Sequence, residues 1–192
     1  MTESPEAGYT VFRLPRSHWH CTLYSFQWDK VRPASLHTAV TSFLHELQDG
    51  KVPHMLLTGS AGVGKTHIGV GVYRVASTVF GTQQVTWLNV PAFCEQIKQS
   101  YRDGDEGAWA DVEEARKLVV LDDLFGRTLT SHEAEQIVYR IIDTAYRNNA
   151  AVLATMNQSH EELKDRLPGH EVSRLLANVK VFPMKADKDW RL

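Results

Sequence analysis

Disulfides, membrane spans and an excess of positive charge are all missing from this sequence. It holds two cysteines, Cys21 and Cys94, far apart and with no C-x-x-C pair. Free thiols in a reducing compartment are therefore expected rather than a disulfide framework. No apolar run approaches the roughly 18–20 residues of a membrane-spanning helix, and residues 1–10 carry neither the basic stretch nor the apolar core of a secretory leader. Lys and Arg number 21 against 23 Asp and Glu, a net charge of −2, so the overall basic character of many nucleic-acid-binding domains is absent. A local basic strip on an oligomer is still compatible with that balance. No internal repeat is visible. The chain's 192 residues, 43% of them hydrophobic, suffice for one α/β domain with a substantial core. The expectation is a soluble protein of the cytoplasm.

What the sequence does have is Gly59-Ser60-Ala61-Gly62-Val63-Gly64-Lys65-Thr66, a complete G-x-x-x-x-G-K-[ST] phosphate-binding loop. The glycines let the backbone curl so that successive amides point inward at phosphate oxygens. Lys65 supplies a mobile ammonium for the β- and γ-phosphates, and the Thr66 hydroxyl is a ligand for Mg²⁺. A helix beginning at Lys65 would add the positive end of its dipole. Composition alone yields such a match in roughly 1% of chains this long, so nucleotide binding outweighs an ordinary Gly-rich turn. The setting agrees: the apolar run 53–58 before the loop reads as a buried strand, and a helical pattern follows it.

Along the chain, residues 1 to about 10 read as a disordered start. An aromatic-rich segment follows, from His18-Trp19-His20-Cys21 to Tyr24-Ser25-Phe26-Gln27-Trp28. Its His-x-His-Cys cluster lacks a second ligand pair at zinc-finger spacing. The reading preferred here is an aromatic flap on the domain edge, near the adenine. A helix over about 34–48 presents Leu36, Val40, Phe43, Leu44 and Leu47 on one face, with Gly50 as its stop. The phosphate-loop helix should reach about Phe80. Gly69 and Gly71 weaken it in isolation, which implies close packing against a sheet. Strands are expected at 85–88, 118–121, 151–155 and 179–182. The helices between them are placed at about 92–101, opened by Pro91, then 108–114 and 131–148. Thr130 with Glu133, and Ser159 with Glu162, have capping-box spacing. A short helix is expected at about 171–176. Five buried strands alternating with helices make an open parallel sheet.

Asp122 and Asp123 follow the 118–121 run directly. A carboxylate ending a strand is the second half of phosphate-loop machinery: Asp122 to hold Mg²⁺, usually through water, and Asp123 to orient or deprotonate the attacking water.

At this point the sequence resembles a known family. Gly-Val-Gly-Lys-Thr-His (62–67), Leu-Val-Val-Leu-Asp-Asp-Leu (118–124), Ala-Thr-Met-Asn (154–157) and Glu-Val-Ser-Arg-Leu-Leu (171–176) occur in order. So ordered, they are similar to the AAA+ ATPase core of the DnaC/DnaI helicase loaders and the related IstB transposition ATPases. Residues 97–104 resemble the stretch before the Walker B strand there, and Lys188-Asp189-Trp190-Arg191 resembles the family's ending. The resemblance covers roughly residues 22 to 192, with 1–20 as a flexible tail and 21–192 as the ATPase core.

The resemblance implies ATP and Mg²⁺ as ligands. Residues 59–66, with His67 closing the motif, match Walker A, and Asp122 and Asp123 match Walker B. Asn157 falls at sensor 1, and Arg174 falls at the arginine finger, with Arg166 as its nearby competitor. A finger acts only across a subunit interface, so a ring or spiral of copies is implied. Lys98, Tyr101 and Ser131 match positions that face single-stranded DNA: a cation for phosphate, an aromatic face for bases and a hydroxyl for the backbone. A further aromatic found near Ser131 in some members is Glu133 here. Two departures are expected. No separate N-terminal domain precedes the shared region, and no C-terminal helical lid follows the last strand, so Arg191 could at most stand in for a lid arginine.

The implied function is an ATP-hydrolysing DNA-replication factor. It would assemble on single-stranded DNA and help load a hexameric replicative helicase; a short core-only version would suit a phage. The alternatives are an IstB-like transposition accessory acting with a transposase, and a nucleotide-gated interaction module with little turnover.

Overall fold

The computed structural model describes residues 14–104, 106–126, 132–159, 161–162 and 178–186. After two short 3₁₀ turns come β1 (Val31–Arg32), α1 (Leu36–Gln48), β2 (His54–Thr58) and α2 (Lys65–Phe80). They are followed by β3 (Val85–Asn89), α3 (Val90–Asp103), α4 (Ala110–Glu114), β4 (Leu118–Asp122) and α5 (His132–Arg147). The last described elements are β5 (Ala151–Met156), β6 (Val179–Pro183) and β7 (Lys185–Ala186). Among the described residues no helix follows β6. The expected helix at 171–176 lies outside the described residues, as do Thr130 of the Thr130–Glu133 box and the start, 1–10.

Five strands form one parallel sheet in the order β3-β4-β5-β2-β6. The alternating side chains of β4 explain why both faces must be covered. Leu118 and Val120 join Met55, Leu57 and Leu153 under α1 and α2. Val119 and Leu121 join Val152, Ala154 and the apolar faces of α3 and α5. Continuous apolar runs of this kind are the pattern of a parallel sheet buried on both sides. In β6, by contrast, every residue is partly or fully exposed, which corrects the expectation of five buried strands. It is the sheet's edge beside β2, and its Lys180 pairs with Glu46 of α1 at 2.6 Å. A charged side chain on an edge strand is a common guard against further pairing.

Local chemistry sets the element ends. The Asn89 side chain accepts a hydrogen bond from the Ala92 amide at 3.2 Å, and Pro91 occupies the first turn of α3. Gly104, in left-handed geometry with φ 67°, closes that helix. Ser159 and Glu162 make the reciprocal bonds of a capping box, both at 3.4 Å.

The aromatic segment packs as a flap against α2. Arg74 donates to the Trp19 carbonyl at 3.0 Å, and the indoles of Trp19 and Trp28 donate to the carbonyls of Leu14 and Leu23. The two helix glycines divide their work. Gly69 faces the sheet, where a Cβ would lie 3.4 Å from Val120. Gly71 instead faces the flap, where a Cβ would lie 2.9 Å from the Leu23 amide nitrogen. Sequence reading placed only a sheet contact here. A second sheet of two short antiparallel strands, β1 with β7, ties the end of the flap to the chain beyond β6.

Candidate nucleotide site

A parallel sheet brings all its strand C-termini to one edge, where loops can converge on a ligand. Here β5 lies between β2 and β4. Residues just past β5 therefore stand between the phosphate loop that leaves β2 and the acidic pair that ends β4. The order of the strands, rather than proximity in sequence, assembles Lys65, Thr66, Asp122, Asp123 and Asn157.

The loop has the backbone a curled anion cradle needs. Gly59, Gly62 and Gly64 adopt φ of 138°, 81° and 92°, values that residues with a Cβ rarely take. At two of them space is closed as well. A Cβ on Gly59 would lie 2.3 Å from the Met184 carbonyl oxygen, and one on Gly64 would lie 2.6 Å from the Phe26 ring. Ser60 and Ala61 are exposed at the crest, while Val63 is buried and anchors the loop. Gly64 is the residue from which α2 starts.

Lys65 is buried, and its ammonium donates to the carbonyls of Gly59 and Ser60, both at 2.8 Å, and to Oδ1 of Asn157 at 2.9 Å. The Thr66 hydroxyl donates to Oδ2 of Asp122 at 3.2 Å. Its other oxygen, Oδ1, accepts from the Thr155 hydroxyl at 2.8 Å, and that hydroxyl accepts from the Asp123 amide at 3.0 Å. Asp123 has φ 57°, a left-handed conformation, and its Oδ1 accepts from the Asn157 side-chain nitrogen at 3.2 Å. Asp122 is thus buried and held from both sides, whereas Asp123 is only partly buried and Asn157 is exposed. Burial pushes the Asp122 carboxyl above the usual carboxylate range, and the neighbouring Asp123 adds to the effect; hydrogen bonds from Thr155 and Thr66 oppose it.

Thr155 was not singled out from the sequence. The signal is in the register: Leu121 stands opposite Ala154, so the next residue along β5 comes level with Asp122. His67, the residue after Thr66, directs its Nε2 to the flap, to the Thr22 carbonyl at 2.9 Å and the Ser25 hydroxyl at 3.1 Å. Burial lowers its pKa.

This donor set fits a magnesium–nucleotide pair. Thr66 and Asp122 offer the hard oxygens that Mg²⁺ prefers. A divalent ion would also offset the cost of ionising the buried Asp122, and the glycines leave room for backbone amides to meet phosphate. Lys98 and Tyr101 come together elsewhere, on α3. They line a groove of about 470 Å³ with Arg102, Trp109, Gln136, Ile137 and Arg140. Tyr101 is 62% exposed, Lys98 pairs with Glu95 at 3.1 Å, and the Arg140 guanidinium sits 3.9 Å from the Trp109 ring centre. Ser131, Arg174, Arg166 and Arg191 lie outside the described residues.

Comparison with known proteins bears on the family and the fold. A family model described as "IstB-like ATP binding protein" matches residues 17–186. No curated protein matches the chain. Among solved structures, the DnaC helicase loader is similar with a TM-score of 0.74 at 22% identity, over 89% of this chain and 100% of that one. DnaI is similar with a TM-score of 0.69 at 15% identity, over 93% and 94%. The replication initiator DnaA bound to AMPPCP and single-stranded DNA has a TM-score of 0.64 at 19% identity, over 81% of this chain and 47% of that one. At these identities the likeness is one of fold.

Proposed function

Because the chain belongs to the family of IstB-like ATP-binding proteins, we propose that it is a Mg²⁺-dependent ATPase acting in DNA replication as a helicase loader. The observation that carries the chemistry is the convergence of Lys65, Thr66, Asp122, Asp123 and Asn157 at one sheet edge. Lys65 and the loop amides of 59–64 bind the phosphates. Thr66 and Asp122 are the residues that would hold the metal, which when bound would neutralise phosphate charge. Asp123 accepts a proton from the attacking water or orients it, and the Asn157 amide positions that water against the γ-phosphate. Arg174 of a neighbouring copy supplies the finger, an effect worth about 10³–10⁵ in rate where it operates, so turnover requires a ring or spiral.

Support for the replication reading is the fold likeness to the DnaC helicase loader and to a DnaA bound to single-stranded DNA. Lys98 and Tyr101, with Ser131, give the strip for single-stranded DNA: they pair a cation with an exposed aromatic face, the combination that tracks phosphates and stacks bases. The family description favours a second reading, an IstB-like accessory that acts with a transposase.

The test is ATP-dependent capture from host lysate, with Lys65→Ala as control, beside turnover by the purified protein. The expected result is recovery of a replicative helicase by the parent alone. Recovery of a transposase would overturn the loader reading in favour of the second, and absence of turnover would overturn the ATPase. Asp123→Asn and Arg174→Ala should each bind ATP without hydrolysing it. Parent-rate hydrolysis by Arg174→Ala would remove the finger assignment, and unchanged single-stranded DNA affinity in Tyr101→Ala would remove the stacking one.

A further inference from the structure

The flap carries a group of donors that the nucleotide chemistry does not use. One ligand atom from each of His20, Cys21 and His67 lies within 4.8 Å of the other two. By sequence the His-x-His-Cys cluster is short of ligands; the fold supplies another from the first turn of α2. We propose that His20, Cys21 and His67 form a transition-metal site of the Zn²⁺ class, pinning the flap to the start of the phosphate-loop helix.

Geometry supports it. The Cys21 sulfur and His20 Nε2 are 3.6 Å apart. Zn–N bonds of about 2.0–2.1 Å and a Zn–S bond of about 2.3 Å at tetrahedral angles give an N···S edge of about 3.6 Å. That edge is already formed. No separation in the trio exceeds 4.8 Å, so a regular tetrahedron asks for a closure of at most about 1.5 Å, and His20, which is exposed, is free of core packing that would stop it. The rings of His20 and His67 stand nearly perpendicular, at 87°, with centroids 5.9 Å apart, so they meet edge to face and are not stacked.

The surroundings of His67 match a metal-bound imidazole. The Thr22 carbonyl can only accept, so Nε2 carries the proton and donates to it at 2.9 Å. The proposal therefore assigns Nδ1, which then holds the lone pair, as the ligand atom of His67; a backbone carbonyl fixing the far nitrogen is a common outer-shell arrangement around bound metals. His18, the other histidine of the segment, belongs elsewhere: its ring lies 5.3 Å from that of Trp87. One thiolate with two imidazoles selects Zn²⁺ and its borderline-soft neighbours over Mg²⁺. The trio is therefore chemically separate from the oxygen donors of Thr66 and Asp122. Three protein ligands leave a fourth position for water.

The experiment is a Co²⁺ titration of untagged protein without nucleotide, so its outcome is independent of the ATPase reading. The parent should take up one equivalent, with the visible bands of tetrahedral cobalt and a thiolate-to-cobalt charge-transfer band, and Zn²⁺ should bleach both. Cys21→Ser should lose the charge-transfer band, and Cys94→Ser should keep it. His20→Ala removes an exposed side chain and should weaken binding about tenfold or more. A parent spectrum lacking the charge-transfer band, or equal Co²⁺ affinity in the parent and His20→Ala, would overturn the site.

Discussion

Lys65 donates a hydrogen bond from Nζ to Oδ1 of Asn157 at 2.9 Å, joining the phosphate loop to the end of β5. That bond settles which way the amide points. With its oxygen on the ammonium, the Asn157 nitrogen is turned to Asp123, and it donates to Oδ1 there at 3.2 Å. Lysine, amide and carboxylate therefore form one line across the sheet edge, and any change in one is felt by the other two.

Asn157→Ala cuts this line in the middle. Asn157 is exposed, so the fold should be kept. Hydrolysis should fall about 10²-fold as Asp123 loses its orienting donor, while ATP affinity should stay within about threefold because the loop and Lys65 remain. Single-turnover rates beside equilibrium nucleotide binding check this. A matched loss of affinity and rate would instead make Asn157 a binding residue.

Thr155 is predicted to matter through Asp122 and Asp123 at once. Its hydroxyl donates to one and accepts from the amide of the other. Thr155→Val keeps the shape and deletes both bonds in a buried place, at a cost of about 1–3 kcal/mol. In thermal melts that is a loss of several degrees, at about 2–4 °C per kcal/mol for a chain of this size. Thr155→Ser should recover most of it; a serine variant as unstable as valine would mean that the methyl group, not the hydroxyl, carries the effect.

The two glycines of α2 should respond in opposite directions to alanine. At Gly69 the new Cβ meets Val120, Leu153 and Thr155 at 3.4–3.7 Å, ordinary contact distances, and the helix gains about 1 kcal/mol of propensity. At Gly71 it meets the Leu23 amide nitrogen at 2.9 Å and must push the flap away. Melting temperatures should rise for Gly69→Ala and fall for Gly71→Ala. A rise in both would show that the flap yields at little cost.

These contrasts show what the sequence disclosed and what it withheld. Motifs defined by local backbone chemistry were legible: the loop glycines, the acids closing β4, Asn157 past β5 and the Ser159–Glu162 box. Apolar runs gave the strands and the sheet class. Contacts made by strand order and by the flap were hidden, because no spacing rule links Thr155 to Asp122, Met184 to Gly59 or His67 to Cys21. β6 looked like a core strand because Val179, Val181 and Phe182 are apolar; its place at the sheet edge leaves them half covered.

Asp122 provides the pH test. Burial raises its carboxyl pKa above the usual value near 3.8, so the folded protein binds this proton more readily than the unfolded chain does. Its favourable contribution is then fully present below the ordinary carboxylate value and lost as pH rises through the raised folded one. Without metal, Asp122→Asn escapes that loss. Its melting temperature should exceed the parent's near neutrality, with the gap shrinking as pH falls toward 4. Mg²⁺ and ATP should invert the order, since the carboxylate gains a cation and the amide does not. Parallel melting curves of the two proteins, taken across pH with and without Mg²⁺–ATP, give both comparisons. A gap that does not change with pH would mean that the raised proton affinity is absent from the folded protein. A gap that Mg²⁺–ATP leaves untouched would mean that Asp122 does not hold the metal.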